Sequence, residues 1–160
     1  MEQSDPHCEV AREILRTIPL VMRVVAARIR ESEHDIVPAH YRTLVMLSKR
    51  DCSLTQLADL QQLSLPTISN TISALAQRGW VLRARSGDDR RVVMVALTPQ
   101  GKIALQTVQD YAESHIAGLL ASLSVEEEAN LRTGLRTLQT VFAAALQNDA
   151  SQESEIRPVS

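Results

Sequence analysis

Residues 86–101 read Ser-Gly-Asp-Asp-Arg-Arg-Val-Val-Met-Val-Ala-Leu-Thr-Pro-Gln-Gly, and this stretch decides the fold. It begins with a turn that carries two acids and two arginines, in which Gly87 supplies the permissive backbone position. An alternating apolar strand follows at residues 91–97, and residues 80–85 form a matching strand before the turn. Thr98 and Pro99 are a helix cap and a first helical residue. The stretch therefore predicts a β-hairpin with a charged tip that leads into a helix.

Two helices separated by a tight turn are predicted immediately before the hairpin. The first begins at Thr55, and residues 61–63 turn the chain into the second, for which Ser64 is the N-cap. Pro66 lies in the first turn of the second helix, and Gly79 lies just beyond its last turn. The apolar positions are Leu57, Ala58 and Leu60 in the first helix and Ile68, Ile72, Leu75 and Ala76 in the second. This order predicts a helix-turn-helix followed by a wing, which is a winged helix.

Short polar side chains cover the outer surface of the second helix. Ser, Thr and Asn are indifferent helix formers, so their concentration here needs another explanation. Short polar groups at the N-terminal end of a recognition helix contact base edges and phosphates in a DNA major groove. We therefore expect DNA contacts from Ser64, Pro66, Thr67, Ser69, Asn70, Thr71 and Ser73.

The hairpin is expected to add DNA contacts of a second kind. Arginines at its tip have the length and the charge to enter a minor groove, and this role falls to Arg90 and Arg91, beside Asp89. Arg83 and Arg85 lie on the incoming strand, where we expect them to meet phosphates rather than bases.

The charge distribution agrees with this interpretation better than the net charge does. The 160 residues carry a net charge of −2, which alone argues against a nucleic-acid partner. Residues 35–100, however, hold eight basic and five acidic side chains, a net +3, whereas residues 101–160 have a net −4. The basic excess therefore coincides with the predicted helix-turn-helix and wing, as phosphate contact requires.

Helices are also predicted on both sides of this central segment. Residues 9–33 form an amphipathic helix with Pro19 inside it, where we expect a kink or a break near residues 17–19. A helix then opens at Pro38 and ends near residues 49–50, followed by a brief strand at residues 52–54. The fifth helix runs from residue 98 to about 122, and a capping box at residues 124–127 opens a sixth helix that ends near Gln147.

The predicted fold class is mainly α with a small β-hairpin. The expected organisation is a dimerisation helix at 1–34, a winged helix-turn-helix lobe at 35–100, dimerisation helices at 101–147 and a disordered tail at 148–160. The helix at residues 98–122 carries apolar positions far from the wing. We therefore expect the helices at residues 9–33, 98–122 and 124–147 of two chains to pack together. A homodimer would present two recognition helices about one DNA turn apart, so its operator should be near-palindromic.

The sequence resembles the MarR family of bacterial transcriptional regulators over nearly the whole ordered chain. The best match is Asp89-Arg90-Arg91 followed by Leu97-Thr98 and Gly101, which is similar to the family's D-x-R…L-T-x-x-G wing signature. Further similar residues are Val95, Leu57-Ala58 and Leu75…Gly79-Trp80-Val81. The resemblance implies that Arg91 interacts with Asp89 and steadies the wing. One departure is Asn70, where many members carry Arg; Asn can still read adenine.

The resemblance also implies a small aromatic or carboxylate effector, for which the candidate residues are Arg16, His40, Tyr41 and His115. A thiol-based redox switch through Cys8 is an alternative, whereas Cys52 is expected to serve packing. A winged helix that binds a partner protein instead of DNA is the other alternative. The sequence shows no catalytic motif, metal-ligand spacing or cofactor motif. It shows no secretory signal or membrane span either, which indicates a cytoplasmic protein.

Overall fold

The computed structural model describes residues 5–32, 36–85 and 92–156, of which residues 85 and 148–156 are described by their backbone alone. The helices and strands of these ranges follow one another as α1 (Pro6–Glu31), α2 (Pro38–Leu47), β1 (Cys52–Ser53), α3 (Leu54–Gln61), α4 (Leu65–Gln77), β2 (Val81–Arg85), β3 (Val93–Leu97), α5 (Pro99–Leu120) and α6 (Val125–Ile156). The mainly helical fold with a small sheet is confirmed. The chain divides into two compact units, residues 1–116 and 117–160.

The core of the first unit lies beneath the helix-turn-helix. Side chains from α2, α3, α4, β3 and α5 meet there, and the fully buried ones include Leu44, Leu57, Ile68, Ile72, Leu75, Val95 and Val108. The C-terminal end of α1 joins this core through Ile29, against which Val25 packs partly buried. Burial of these aliphatic side chains supplies the main stabilisation of the lobe.

A three-stranded antiparallel sheet carries the hairpin, in the order β1-β3-β2. The brief strand predicted near residue 52 is confirmed, since Cys52 pairs with Val95. The outermost pair of the hairpin that the structure describes is Arg85 with Val93. The expected turn, including Gly87, lies outside the described residues.

Local capping explains where the helices begin. Ser64 caps α4 and Ser124 begins a capping box with Glu127, as predicted. In that box, hydrogen bonds from the backbone and hydroxyl of Ser124 lower the pKa of Glu127. Ser53 forms a second capping box with Gln56, so α3 begins one residue earlier than Thr55.

Three sequence-based expectations about the helices need correction. α1 continues through Pro19, so the expected break is absent while the expected kink stays a prediction; proline removes only one hydrogen bond from a helix of 26 residues. Leu60 is 51% exposed, because the buried face of α3 is centred on Leu57 and turns Gln61 inward instead. α6 continues past Gln147 to Ile156, since no Gly or Pro interrupts the chain in between.

The buried Gln61 has a specific polar contact. Its Nε2 donates to the hydroxyl of Thr43, which is also buried, over 3.1 Å. That contact ties α3 to α2 inside an otherwise apolar core.

The second unit is dominated by α6, a helix of 32 residues. Most of its large apolar side chains are exposed, among them Leu131, Leu135, Val141, Phe142 and Leu146. Among the described residues, none of the helices is both long and apolar enough to cross a bilayer.

Candidate nucleic-acid interface

The N-terminus of α4 is held by its own polar side chains. The backbone N–H of Thr67 donates to the Ser64 hydroxyl over 3.3 Å, and the two hydroxyl oxygens lie 2.7 Å apart. Pro66 stands in the first turn, where its missing N–H leaves no bond unmade. The start of α4 is therefore rigid, although its polar groups remain exposed.

The two faces of α4 differ sharply in exposure. Ile68, Ile72 and Leu75 are 0% exposed, so this face is fixed in the core. Pro66, Thr67 and Asn70 are exposed on the outer surface, whereas Ser69, Thr71 and Ser73 are half-buried. The exposed set contains the amide of Asn70, which can both donate and accept hydrogen bonds.

The half-buried hydroxyls of α4 bond to the helix itself. Thr71 donates to the Thr67 carbonyl over 3.1 Å, and Ser73 donates to the Ser69 carbonyl over 2.8 Å. Each hydroxyl keeps its acceptor capacity, so these residues can accept hydrogen bonds but have their single proton engaged.

Arg83 reaches from β2 back to α4. Its Nη2 donates to the Ser69 carbonyl over 3.0 Å and to the Ser73 hydroxyl over 2.8 Å. Sequence reasoning missed this contact, because nothing in the spacing of Arg83 and Ser73 along the chain predicts it. The backbone of Arg85 is paired in β2, and the remaining predicted hairpin contacts, Asp89, Arg90 and Arg91, lie outside the described residues.

A compact junction joins the end of α4 to the start of α5. Thr98 caps α5 as predicted, since its hydroxyl accepts from the Gly101 N–H over 2.9 Å. The same hydroxyl donates to the Gly79 carbonyl over 2.7 Å, and the Thr98 N–H donates to the Trp80 carbonyl over 3.0 Å. Gly79 has a φ of 72°, the left-handed region that favours glycine. Sequence reasoning found the cap but not its link to α4.

The residues proposed to hold an effector lie on three helices. His40 and Tyr41 are neighbours in α2, and both are half-buried. Desolvation and, secondarily, the charge of Arg78 lower the pKa of His40. Arg16 is exposed on α1 and pairs with Glu13.

His115 is exposed on α5, and the two cysteines differ in burial. Cys8 is exposed in the first turn of α1, whereas Cys52 is buried in β1, as its expected packing role requires. Within the described ranges, no group of three or more His, Cys, Asp or Glu side chains could hold a metal ion.

A helix-turn-helix followed by an antiparallel hairpin defines a winged helix-turn-helix protein. Residues 34–92 match the model of the MarR family. The HTH-type transcriptional regulator YdgJ of Bacillus subtilis is 27% identical over 123 residues, which are 75% of this chain and 73% of YdgJ. The central segment of the chain is therefore similar to the MarR family, and the chain as a whole is similar to a transcriptional regulator. Members of this family are regulators rather than enzymes, in agreement with the sequence analysis.

Solved structures share the fold. RV1404 of Mycobacterium tuberculosis has a TM-score of 0.75 and is 20% identical, with 88% of this chain and 96% of that chain covered. FabT of Streptococcus pneumoniae, solved in complex with DNA, has a TM-score of 0.63 and is 21% identical, with 87% and 99% covered. Wild-type MarR of E. coli has a TM-score of 0.65 and is 19% identical, with 85% and 98% covered.

Proposed function

We propose that this chain is a MarR-family transcriptional regulator, a cytoplasmic repressor that binds double-stranded DNA sequence-specifically as a homodimer. The observation that carries the proposal is the two-faced α4, with Ile68, Ile72 and Leu75 locked in the core and the polar residues Thr67 and Asn70 presented outward. A similarly folded protein, FabT, has been solved in complex with DNA.

In this proposal α4 enters a major groove and the hairpin tip enters the adjacent minor groove. Ser64, Pro66, Thr67, Asn70 and Thr71 form the groove-facing set. The net +3 of residues 35–100 supplies phosphate attraction, which is the main sequence-independent part of protein–DNA affinity. The net −4 of the C-terminal segment would be kept away from the duplex.

A random-sequence selection with the full chain tests the proposal directly. We expect enrichment of a near-palindromic site whose half-sites lie about 10 base pairs apart. Affinity for that site, measured by fluorescence anisotropy, should fall linearly on a log–log scale as salt rises. A selection that enriches no sequence, with binding insensitive to salt, would contradict DNA binding and favour a protein partner.

Asn70→Ala is expected to change base preference more than overall affinity. The amide of Asn can make a paired contact with adenine, worth about 1–3 kcal/mol of discrimination. Repeating the selection with the variant should therefore relax the preference at one position of each half-site. If the selected profile is unchanged, Asn70 contacts phosphate or solvent instead.

Homodimer formation is supported by apolar side chains that a single chain leaves exposed. They include Val10, Ile18 and Val21 on α1, Leu119 on α5, and Leu135 and Phe142 on α6. Helical spacing places Leu131, Leu135 and Phe142 on one stripe of α6. An exposed apolar stripe of this kind along a helix is typical of a subunit interface.

Leu135→Lys combined with Phe142→Lys is expected to convert the dimer into monomers. Two cations in each α6 stripe would have to be buried at the interface, which costs several kcal/mol. Sedimentation equilibrium should show the change, and DNA affinity should drop because only one half-site is engaged.

Thr140→Lys is the matched control for this change. It adds a cation on the opposite side of α6, where Thr140 is exposed, and it should leave the dimer intact. If the double variant remains dimeric, the α6 stripe of Leu131, Leu135 and Phe142 is not part of the dimer interface.

The proposed regulator is also expected to respond to a small aromatic or carboxylate effector. Support comes from His40, whose Nδ1 is buried and has no hydrogen-bond partner among the described residues. Such a group can accept or donate one bond to a ligand beside Tyr41. Screening aromatic acids against the selected operator by gel shift tests the response; if no compound alters operator affinity, the protein is not regulated in this way.

A further inference from the structure

Arg83 connects the hairpin to α4 through one nitrogen. Its Nη2 reaches two acceptors on α4, the Ser69 carbonyl and the Ser73 hydroxyl, at 3.0 and 2.8 Å. These two bonds engage both hydrogens of that nitrogen. Arg83 lies in the middle of β2, opposite the fully buried Val95. The contact therefore joins a fixed point of the hairpin to the outer half of α4.

The Ser73 hydroxyl is completely oriented by this arrangement. It donates to the Ser69 carbonyl over 2.8 Å and accepts from Arg83 over 2.8 Å. A guanidinium forms charge-assisted bonds, which are shorter and stronger than bonds between neutral groups. Arg83, Ser69 and Ser73 thus form a closed triangle that we name the helix–hairpin clamp.

We infer that Arg83 is a positioning residue, which sets the hairpin relative to α4 through the helix–hairpin clamp, and is not a ligand of a DNA phosphate. This inference rests on the proposed function, because the position of the hairpin matters only if α4 and the hairpin enter neighbouring grooves together. The clamp replaces the phosphate contact that the sequence predicted for Arg83.

Two physical consequences separate a positioning residue from a phosphate ligand. A phosphate contact releases counterions, so its removal makes the dependence of affinity on salt shallower by about one unit per site. Loss of a positioning contact weakens binding without that change in slope. If Arg83 is a positioning residue, the affinity lost on its substitution depends on whether its acceptor Ser73 is present. If Arg83 contacts a phosphate, the affinity lost is the same with or without the Ser73 hydroxyl.

The experiment is a double-mutant cycle on operator affinity, measured by anisotropy at several salt concentrations. We expect Arg83→Ala to weaken binding about tenfold, because both hydrogen bonds from the charged guanidinium to α4 are lost. Ser73→Ala should weaken binding in the wild-type background and have almost no further effect in the Arg83→Ala background. The salt slope should be the same in all four proteins.

Thr71 provides the matched control for the cycle. Its hydroxyl also bonds back to the helix, donating to the Thr67 carbonyl over 3.1 Å, but it has no bond to Arg83. Arg83→Ala and Thr71→Ala should therefore have additive effects on affinity. Thermal melting of each variant confirms that the chain is folded, and coupling between Arg83 and Ser73 in the melting data provides a readout that needs no DNA.

Additive effects of Arg83→Ala and Ser73→Ala, or a slope that falls by about one unit per site, would overturn the inference and make Arg83 a phosphate ligand. These outcomes leave DNA binding itself intact. Failure of the wild-type chain to bind any duplex would instead overturn the proposed function, so the two failures are distinguishable.

Discussion

Gly101→Ala is expected to lower the free energy of unfolding by about 3 kcal/mol, at the upper end of the usual cost of overpacking. A Cβ at this position would overlap the Trp80 carbonyl oxygen and lie 2.8 Å from Leu97 Cδ1. A backbone carbonyl cannot move away as a flexible side chain can. The Trp80 carbonyl also accepts the Thr98 N–H over 3.0 Å, so shifting it would break the junction between α4 and α5.

The consequence of Gly101→Ala should reach DNA binding as well as stability. The junction includes the bond from Thr98 to the Gly79 carbonyl, directly after α4. Opening it would release the C-terminal end of α4, whose orientation in the groove the proposed function requires. We therefore expect operator affinity to fall even at temperatures where the variant remains folded.

Chemical denaturation and anisotropy measure the two effects, and Gly118→Ala is the matched control. Gly118 lies in the same helix, and no described atom is within 4 Å of a Cβ built there. Alanine favours a helix by about 1 kcal/mol over glycine, so this control should be neutral or stabilising. Equal stability of the two variants would contradict the close contact at Gly101.

The parts of the fold that the sequence predicted correctly are those set by local chemistry. Ser64, Thr98 and Ser124 cap their helices because a side-chain oxygen satisfies an N–H two or three residues away. The buried stripe of α4 follows from a 3.6-residue period within a single helix. Helix caps and helical periodicity depend only on residues a few positions apart, so predicting them requires no knowledge of how the elements pack.

Contacts between elements could not be predicted in the same way. Gln61 is buried because α2 brings the Thr43 hydroxyl within 3.1 Å, eighteen residues away in the chain. Leu60, the apolar neighbour, points outward as a result of the same helix rotation. The hydrophobic pattern alone placed Leu60 in the core, but the packing of α3 against α2 determines which face of α3 is buried.

In the candidate site, too, features within one helix could be predicted from the sequence, whereas contacts between elements could not. The exposed position of Asn70 followed from its place opposite Ile68 and Ile72 on the helix. The contact of Arg83 with α4 depends on how β2 folds back across the helix, which no motif encodes. Sequence reasoning therefore assigned Arg83 to phosphate and had no signal for its hydrogen bonds to the Ser69 carbonyl and the Ser73 hydroxyl.

Arg91→Ala is expected to reduce operator affinity about 100-fold, if each of the two subunits loses a contact worth about 1–1.5 kcal/mol. Arg90→Ala should have a smaller effect in the same direction. The hairpin register supports this expectation, because β2 and β3 are paired up to Arg85 and Val93. The two strands that flank Arg90 and Arg91 in the sequence are thus anchored in the sheet.

Stability should be almost unchanged in both wing variants, because the core of the described part of the chain is complete without Arg90 or Arg91. Arg132→Ala removes an equal charge from α6, where Arg132 pairs with Glu128, and serves as the control for net charge. Arg132→Ala should leave operator affinity nearly unchanged, since the C-terminal segment is not expected to meet DNA.

The base preference of the wing variants tests whether Arg91 enters the minor groove. A narrow minor groove in A·T-rich sequence concentrates negative potential and attracts arginine, so Arg91→Ala should lose affinity mainly for operators with A·T pairs beside the half-sites. An equal loss of affinity for all operator sequences would indicate that Arg91 contacts phosphates instead. Unchanged affinity in both variants would remove the hairpin from the DNA interface and leave α4 as the only recognition element.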